Sequence, residues 1–254
     1  MAGQYTFSVC WYTYSLIKRE NIFTIVKEKI DLLQLIAFAV LGMVGVQYLF
    51  FKTIEISSAS LATILQFTAP IFVYLWLLIS KEKKFNLGEF SLVLLTFFGV
   101  LLIVTNGSFT SIAVSPLGLL TGVGSAIAVA FYTLQPRKIL AKYGSPIVVG
   151  WGMLIGGFVF QFISPFWRPN FELNMYAIGV LLGIIIFGTA VAFLAYLSSV
   201  QYIDPSLASI MTALEPLLAT VLSVFVFSQA FGLFEIIGII IVLVAVLFLS
   251  NYDS

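Results

Sequence analysis

The chain of 254 residues has no histidine and a single cysteine, Cys10. A Cys/His metal site, an internal disulfide and His-based acid–base catalysis are therefore excluded, and no catalytic residue, metal site or cofactor is expected. Charge is scarce as well: 9% of residues are charged, against about 25% in soluble domains. No phosphate-cradling GxxxxGK[ST] loop occurs, which argues against ATP-driven pumping. No basic patch interleaved with aromatics occurs either, so nucleic acid is not an expected partner. The first residues, MAGQYTFSVCWYTYSLI, lack the basic region and small-residue cleavage site of a signal peptide.

What is present is apolar: 61% hydrophobic residues, 25 Phe and a mean hydropathy of +1.12. The apolar residues form runs rather than stripes. Runs of about 20 residues cross a hydrocarbon core about 30 Å thick, so the expected fold class is all-α, a polytopic transmembrane helix bundle in a lipid bilayer. Turn-forming clusters divide the chain into spans near 4–17, 32–54, 58–80, 87–105, 116–136, 146–165, 176–198, 206–228 and 232–250. The first is shorter than a spanning helix normally is.

Ten of the twelve basic residues fall in alternate loops: Lys18, Arg19, Lys27 and Lys29; Lys81, Lys83 and Lys84; Arg137, Lys138 and Lys142. Arg168 and Lys52 are the exceptions. The positive-inside rule then places those loops and the C-terminus in the cytoplasm and Met1 outside.

Shifting the sequence by 146 positions lays ISSASLATILQFTAP on YIDPSLASIMTALEP without a gap. Ser60, Leu61, Ala62, Ile64 and Pro70 meet Ser206, Leu207, Ala208, Ile210 and Pro216, and Gly42 meets Gly188. The shift implies a duplication with units at 1–110 and 111–254. It puts Tyr5–Ile17 on Trp151–Ile163, so the partner of the 116–136 span would precede residue 1. A full unit then has five helices, about nine are present, and the odd number inserts the two units with opposite orientation. Inverted repeats of this kind are a common plan of secondary transporters.

Glu215 lies near the middle of the 206–228 span, where an ionised acid costs about 2.5–3.5 kcal/mol on insertion scales. Three readings apply: a proton-coupling carboxyl, a counter-ion for a substrate ammonium, or a packing residue beside a kink. Its repeat-equivalent is Ala69. Pro216 and Pro70 should each kink their helix and free a carbonyl one turn earlier. Gln47, Tyr48, Gln66, Tyr132, Gln135 and Trp151 are candidates to line a polar cavity with aromatic walls. The plainer reading of each is an interhelical hydrogen bond or an interfacial anchor. Gly118xxxGly122, Gly152xxxGly156 and Gly179xxxGly183 read as helix-packing positions, and Gly42 and Gly188 as places where helices rock. Lys52 and Glu55 are spaced to pair across one turn.

SLATILQFTAPIF followed by KEKKFNLGEFSLVLLTFFGVLLI, and SLASIMTALEPLLATVLSVFVFSQAFGLFEIIGIIIVLVAVLFL, resemble an EamA-type permease of the drug/metabolite transporter superfamily. The resemblance covers essentially the whole chain. It implies ten helices in a five-plus-five inverted repeat, of which the first is absent here. The acidic residue such families often show before the final helix is matched by Glu82 in the first half, whereas Ser228 or Gln229 stands in the second. The resemblance further implies a secondary carrier of a small molecule, with amino acids or related compounds as cargo and export as the commoner direction. With no cation inside the spans apart from Lys52 near an end, a neutral, zwitterionic or cationic metabolite fits better than a phosphorylated one. A bacterial inner membrane is the expected location, with a homodimer left open as an assembly. The rival readings are a non-transporting membrane subunit or inactive truncated permease, and an intramembrane enzyme, for which the spans supply no catalytic set.

Overall fold

The computed structural model describes residues 23–108, 115–163, 175–227 and 232–250. The expected 4–17 span lies outside them. After a single helical turn at Thr24–Lys27, the elements, in chain order, are α1 (Lys29–Ala37), a π-helical segment π1 (Phe38–Val44), α2 (Gly45–Ile56), α3 (Ala59–Gln66) and α4 (Ala69–Ile79). They continue with α5 (Leu87–Thr105), α6 (Pro116–Leu134), α7 (Arg137–Tyr143), α8 (Ser145–Ile163), α9 (Met175–Gly183) and π2 (Ile184–Val191). The last are α10 (Ala192–Ser199), α11 (Pro205–Met211), α12 (Leu214–Phe227) and α13 (Leu233–Ser250). Among the described residues there is no strand. Among the described residues, six helices are long and apolar enough to cross a membrane, with two shorter apolar ones, Ile186–Ser199 and Leu233–Leu249. The all-α, polytopic architecture is as expected.

The chain forms two compact units, one from Met1–Gly45 with Tyr132–Tyr202 and one from Val46–Phe131 with Ile203–Ser254. Each draws on both sequence halves. The 146-residue shift carries α1 at 29–37 onto α9 at 175–183, π1 onto π2, α3 onto α11 and α5 onto α13, with ends agreeing to within a residue or so.

In the second unit, α5 lies along α13, and their buried faces meet the inner faces of α11 and α12 through Val100, Ile103, Ile210, Leu217 and Val242. Caps start the helices where the sequence turns polar. The Ser58 hydroxyl accepts from the Leu61 N–H at 3.1 Å, and its counterpart 146 residues on, Asp204, accepts from the Ser206 N–H at 2.7 Å. Such caps contribute about 1 kcal/mol each. Gly118 and Gly122 bring α6 against its neighbours: a Cβ there would meet Ser57 Oγ at 2.0 Å and Leu65 Cδ1 at 2.3 Å. Thr53 donates to the Leu49 carbonyl and to Thr121 Oγ1, both at 2.8 Å, tying α2 to α6.

In the first unit, π1 packs on α8, where a Cβ at Gly152 would come within 2.6 Å of the Phe38 ring. A Cβ at Gly42 would stand 2.7 Å from Tyr132 Cβ, whereas one at Gly188 would meet, among the described residues, only Ile184 of its own helix at 3.8 Å. Gly179 and Gly183 have nothing within 4 Å of a Cβ position, so that Gly pair is not a packing seam within the described residues.

Large apolar side chains such as Ile79 (82% exposed) and Leu120 (70%) point outward. In water that surface would be a liability; against lipid it is the expected covering.

Candidate functional site

The helix carrying Glu215 is broken rather than gently bent. α11 ends at Met211, α12 begins at Leu214, and between them the Ala213 N–H donates to the Ile210 carbonyl and the Glu215 N–H to the Thr212 carbonyl, each at 2.9 Å. Pro216 has no N–H to continue the α ladder. The same interruption precedes Pro70, where α3 ends at Gln66 and α4 starts at Ala69. Glu215 thereby becomes a first-turn acid of α12, where the helix dipole favours negative charge. It lies 10 residues after Pro205 and 12 before Phe227, about 15 and 18 Å along a helix axis.

Glu215 lines an open groove of about 270 Å³ in the second unit. One wall is Thr63 and Phe67, from α3 and the turn after it; another is Ile103 and Val104 of α5. The third is α12 itself, through Pro216, Ala219 and Thr220. None of these is basic. Among the described residues, the Glu215 carboxylate takes part in no hydrogen bond or ion pair. The hydroxyl of Thr63 donates to the Ala59 carbonyl at 2.9 Å, and that of Thr220 to the Pro216 carbonyl at 2.9 Å.

The other sequence candidates divide between the units. In the second unit, the Gln66 Nε2 donates to Ser125 Oγ at 3.0 Å, and Ser125 in turn reaches the Val46 carbonyl at 3.3 Å. That contact ties α3 to α6 and keeps Gln66 out of the Glu215 groove. Gln47 is half-buried and Tyr48 is 42% exposed on α2. In the first unit, buried Tyr132 stacks at an angle on Phe193 and Tyr196, with ring centroids 5.8 and 5.5 Å away. Gln135 donates from Nε2 to the Gln34 carbonyl at 3.0 Å. Among the described residues, the Oε1 atoms of Gln34 and Gln135 are buried without a partner. Trp151 meets Phe23 edge to face at 6.0 Å.

Thr63, Phe67, Ile103, Val104, Ala219 and Thr220 escaped the sequence reading. Thr63 and Phe67 are four residues apart, as are Pro216 and Thr220. That spacing signals a shared helix face but not a groove. Outside the spans, Lys83 Nζ reaches Glu89 Oε1 at 2.5 Å and Asp204 Oδ2 at 3.3 Å. Burial alone would push the Lys83 ammonium down; the Glu89 hydrogen bond and the Asp204 and Glu89 charges outweigh it and hold its pKa above the usual lysine value. Lys52 and Glu55 pair at 3.1 Å, as their spacing suggested. Among the described residues, no group of three or more His, Cys, Asp or Glu could hold a metal.

A solved crystal structure superposes with a TM-score of 0.80 over 99% of this chain and 87% of its own, at 12% identity; that likeness concerns the fold alone. The chain is similar to YicL of Salmonella typhimurium, described as an uncharacterized inner membrane transporter, with 34% identity over 241 residues, 94% of this chain and 79% of that protein. It is also similar to an uncharacterized transporter of Archaeoglobus fulgidus, with 26% identity over 215 residues, 82% of this chain and 73% of the other. These relatives point to a transporter rather than an enzyme. The family match falls twice, over residues 6–105 and 116–251, and the chain, an integral membrane protein, belongs to the EamA-like transporter family.

Proposed function

We propose that this chain is a secondary carrier that exports a small neutral, zwitterionic or cationic metabolite, such as an amino acid, by alternating access, with Glu215 as its proton-coupling carboxyl. One observation carries the reading: an acid with no partner among the described residues stands at a helix break midway along a spanning segment, in an open groove. An acid kept at that depth without a structural partner is functional by default. Its repeat-equivalent is Ala69, so the break does not require the acid. Broken helices at matching places in two halves suit a carrier that binds near the midplane.

The membrane orientation follows the lysines, with the C-terminus in the cytoplasm, and the repeats at 1–110 and 111–254 are inverted. Contacts within each unit support that assignment. Lys83 and Asp204 come from two loops assigned to the cytoplasm and meet one another, as do Lys142 and Asp31, at 2.6 Å. Ser57 and Ser115, both assigned outside, meet at 3.1 Å.

The test is flux of a labelled mixture of amino acids and small amines from vesicles holding the purified chain, with and without a pH gradient. The gradient should drive flux in the wild type and fail to drive it in Glu215→Gln. Flux that is unchanged in Glu215→Gln at every pH removes the coupling role, and no flux under any gradient removes the carrier.

A further inference from the structure

The chemistry of the groove is one-sided. Its ionisable lining group is an acid, and none of its lining residues is Lys, Arg, Asn or Gln. The two hydroxyls that reach it give their protons to carbonyls of their own helices, so Thr63 meets an incoming group with an oxygen lone pair and not a donor. Phe67, Ile103, Val104, Pro216 and Ala219 make the remainder apolar. At about 270 Å³ it falls just under the range of about 300–1,000 Å³ for drug-sized ligands.

A carboxylate in such a groove would meet another negative charge and no donor; desolvating it there without a partner is costly. A protonated amine meets the opposite situation. Its N–H groups find the Glu215 oxygens, a charge-assisted hydrogen bond of the stronger kind, and the Thr63 oxygen, while its body covers apolar wall. Phe67 lines the same groove, and an aromatic ring attracts a cation placed over its face.

We propose that the Glu215 groove is a binding site for small monoamine cations, compounds with one protonated amine, a compact apolar or aromatic body and no carboxylate. This narrows the cargo of the proposed carrier and rests on that reading.

The experiment titrates the full chain in lipid nanodiscs at pH 7 with phenethylamine, phenylalanine and phenylacetate, which share a benzyl body and differ in their charged groups. Butylamine serves as an aliphatic amine. At least one of the two amines should bind tenfold or more tighter than phenylalanine and phenylacetate. Glu215→Gln should weaken it tenfold or more, and Thr63→Val by a factor of two to five. Ala219→Phe, which fills the groove from the α12 wall, should abolish binding without touching the acid and serves if the Glu215 variant does not fold. Equal affinity for phenylalanine or phenylacetate, amine binding untouched by these substitutions, or no binding of either amine overturns the proposal. Flux separates the two readings. Amino-acid flux from vesicles without amine binding leaves the carrier standing and removes the amine site. Glu215-dependent amine binding with no flux of any compound does the reverse.

Discussion

Gly238 of α13 lies against the Gly99 carbonyl of α5 so closely that a Cβ at residue 238 would stand 2.6 Å from that oxygen. The contact is backbone against backbone, so no flexible side chain can yield. Gly238→Ala must push the two helices apart, and overpacking of this kind costs about 1–3 kcal/mol. Gly179→Ala, where a Cβ meets no described residue within 4 Å, is the matched control. Thermal melting in detergent should show a lowered midpoint for the first variant and no loss for the second.

Asp204 has two jobs that substitution can separate. It caps α11 through the Ser206 N–H and it faces Lys83. Asn caps helices as well as Asp does, so Asp204→Asn should keep the cap and lose the ion pair, while Asp204→Ala loses both. The alanine variant should melt lower than the asparagine variant by the equivalent of about 1 kcal/mol.

Lys83 bridges two acids, and Glu89 is nearly buried, at 3% exposure. Removing the cation in Lys83→Met leaves Glu89 without its counter-charge. Breaking a fully buried pair costs about 3–5 kcal/mol; with the lysine side chain itself 21% exposed, about 1–3 is expected. The pH dependence has a defined sign. The folded-state pKa of Lys83 is raised, so its contribution is complete below about 10.4, the ordinary lysine value, and disappears as pH rises through the folded value. A melting series from pH 9 to 12 should fall more steeply for the wild type than for Lys83→Arg, whose charge persists.

Thr133 Oγ1 and Tyr196 Oη lie 3.0 Å apart inside the first unit, next to Tyr132. Hydrogen bonds between membrane helices average about 0.6 kcal/mol, with a maximum near 1.7. A double-mutant cycle of Thr133→Val and Tyr196→Phe should give a coupling energy in that range. A coupling of zero means that the two hydroxyls do not bond in the folded protein.

Pro216→Ala restores a backbone N–H able to bond the Thr212 carbonyl, which the Glu215 N–H now uses. A continuous helix would then carry Glu215 away from its place at the head of α12. Flux should drop tenfold or more while the melting midpoint holds or rises. Pro70→Ala, whose neighbour is Ala69, should affect flux less.

Hydropathy made the spans legible because a helix in lipid must be apolar for its whole length. The 87–105 run is α5 to the residue, and 116–136 begins where α6 begins. The shift of 146 residues was equally readable, because SLA and the two prolines sit on the same turns of α3 and α11 and at the same breaks. Glu215 stood out for its depth. Its groove did not, because Thr63, Ile103 and Ala219 are ordinary residues of apolar spans that acquire meaning only when α3, α5 and α12 converge. The Gly99 and Gly238 contact was also hidden: neither glycine belongs to a GxxxG pair, whereas the conspicuous pair Gly179 and Gly183 packs against nothing among the described residues.

The two π segments lie at matching places, Phe38–Val44 and Ile184–Val191. A π turn closes on the fifth residue rather than the fourth, so each segment absorbs extra chain and rotates whatever follows, by ~100° for one added residue. Phe193 and Tyr196, just beyond π2, reach Tyr132 from that rotated register. Each segment thus works as an indexing step in its helix. Deleting one residue from π2 would swing both rings off Tyr132 while leaving hydropathy, length and span count almost untouched.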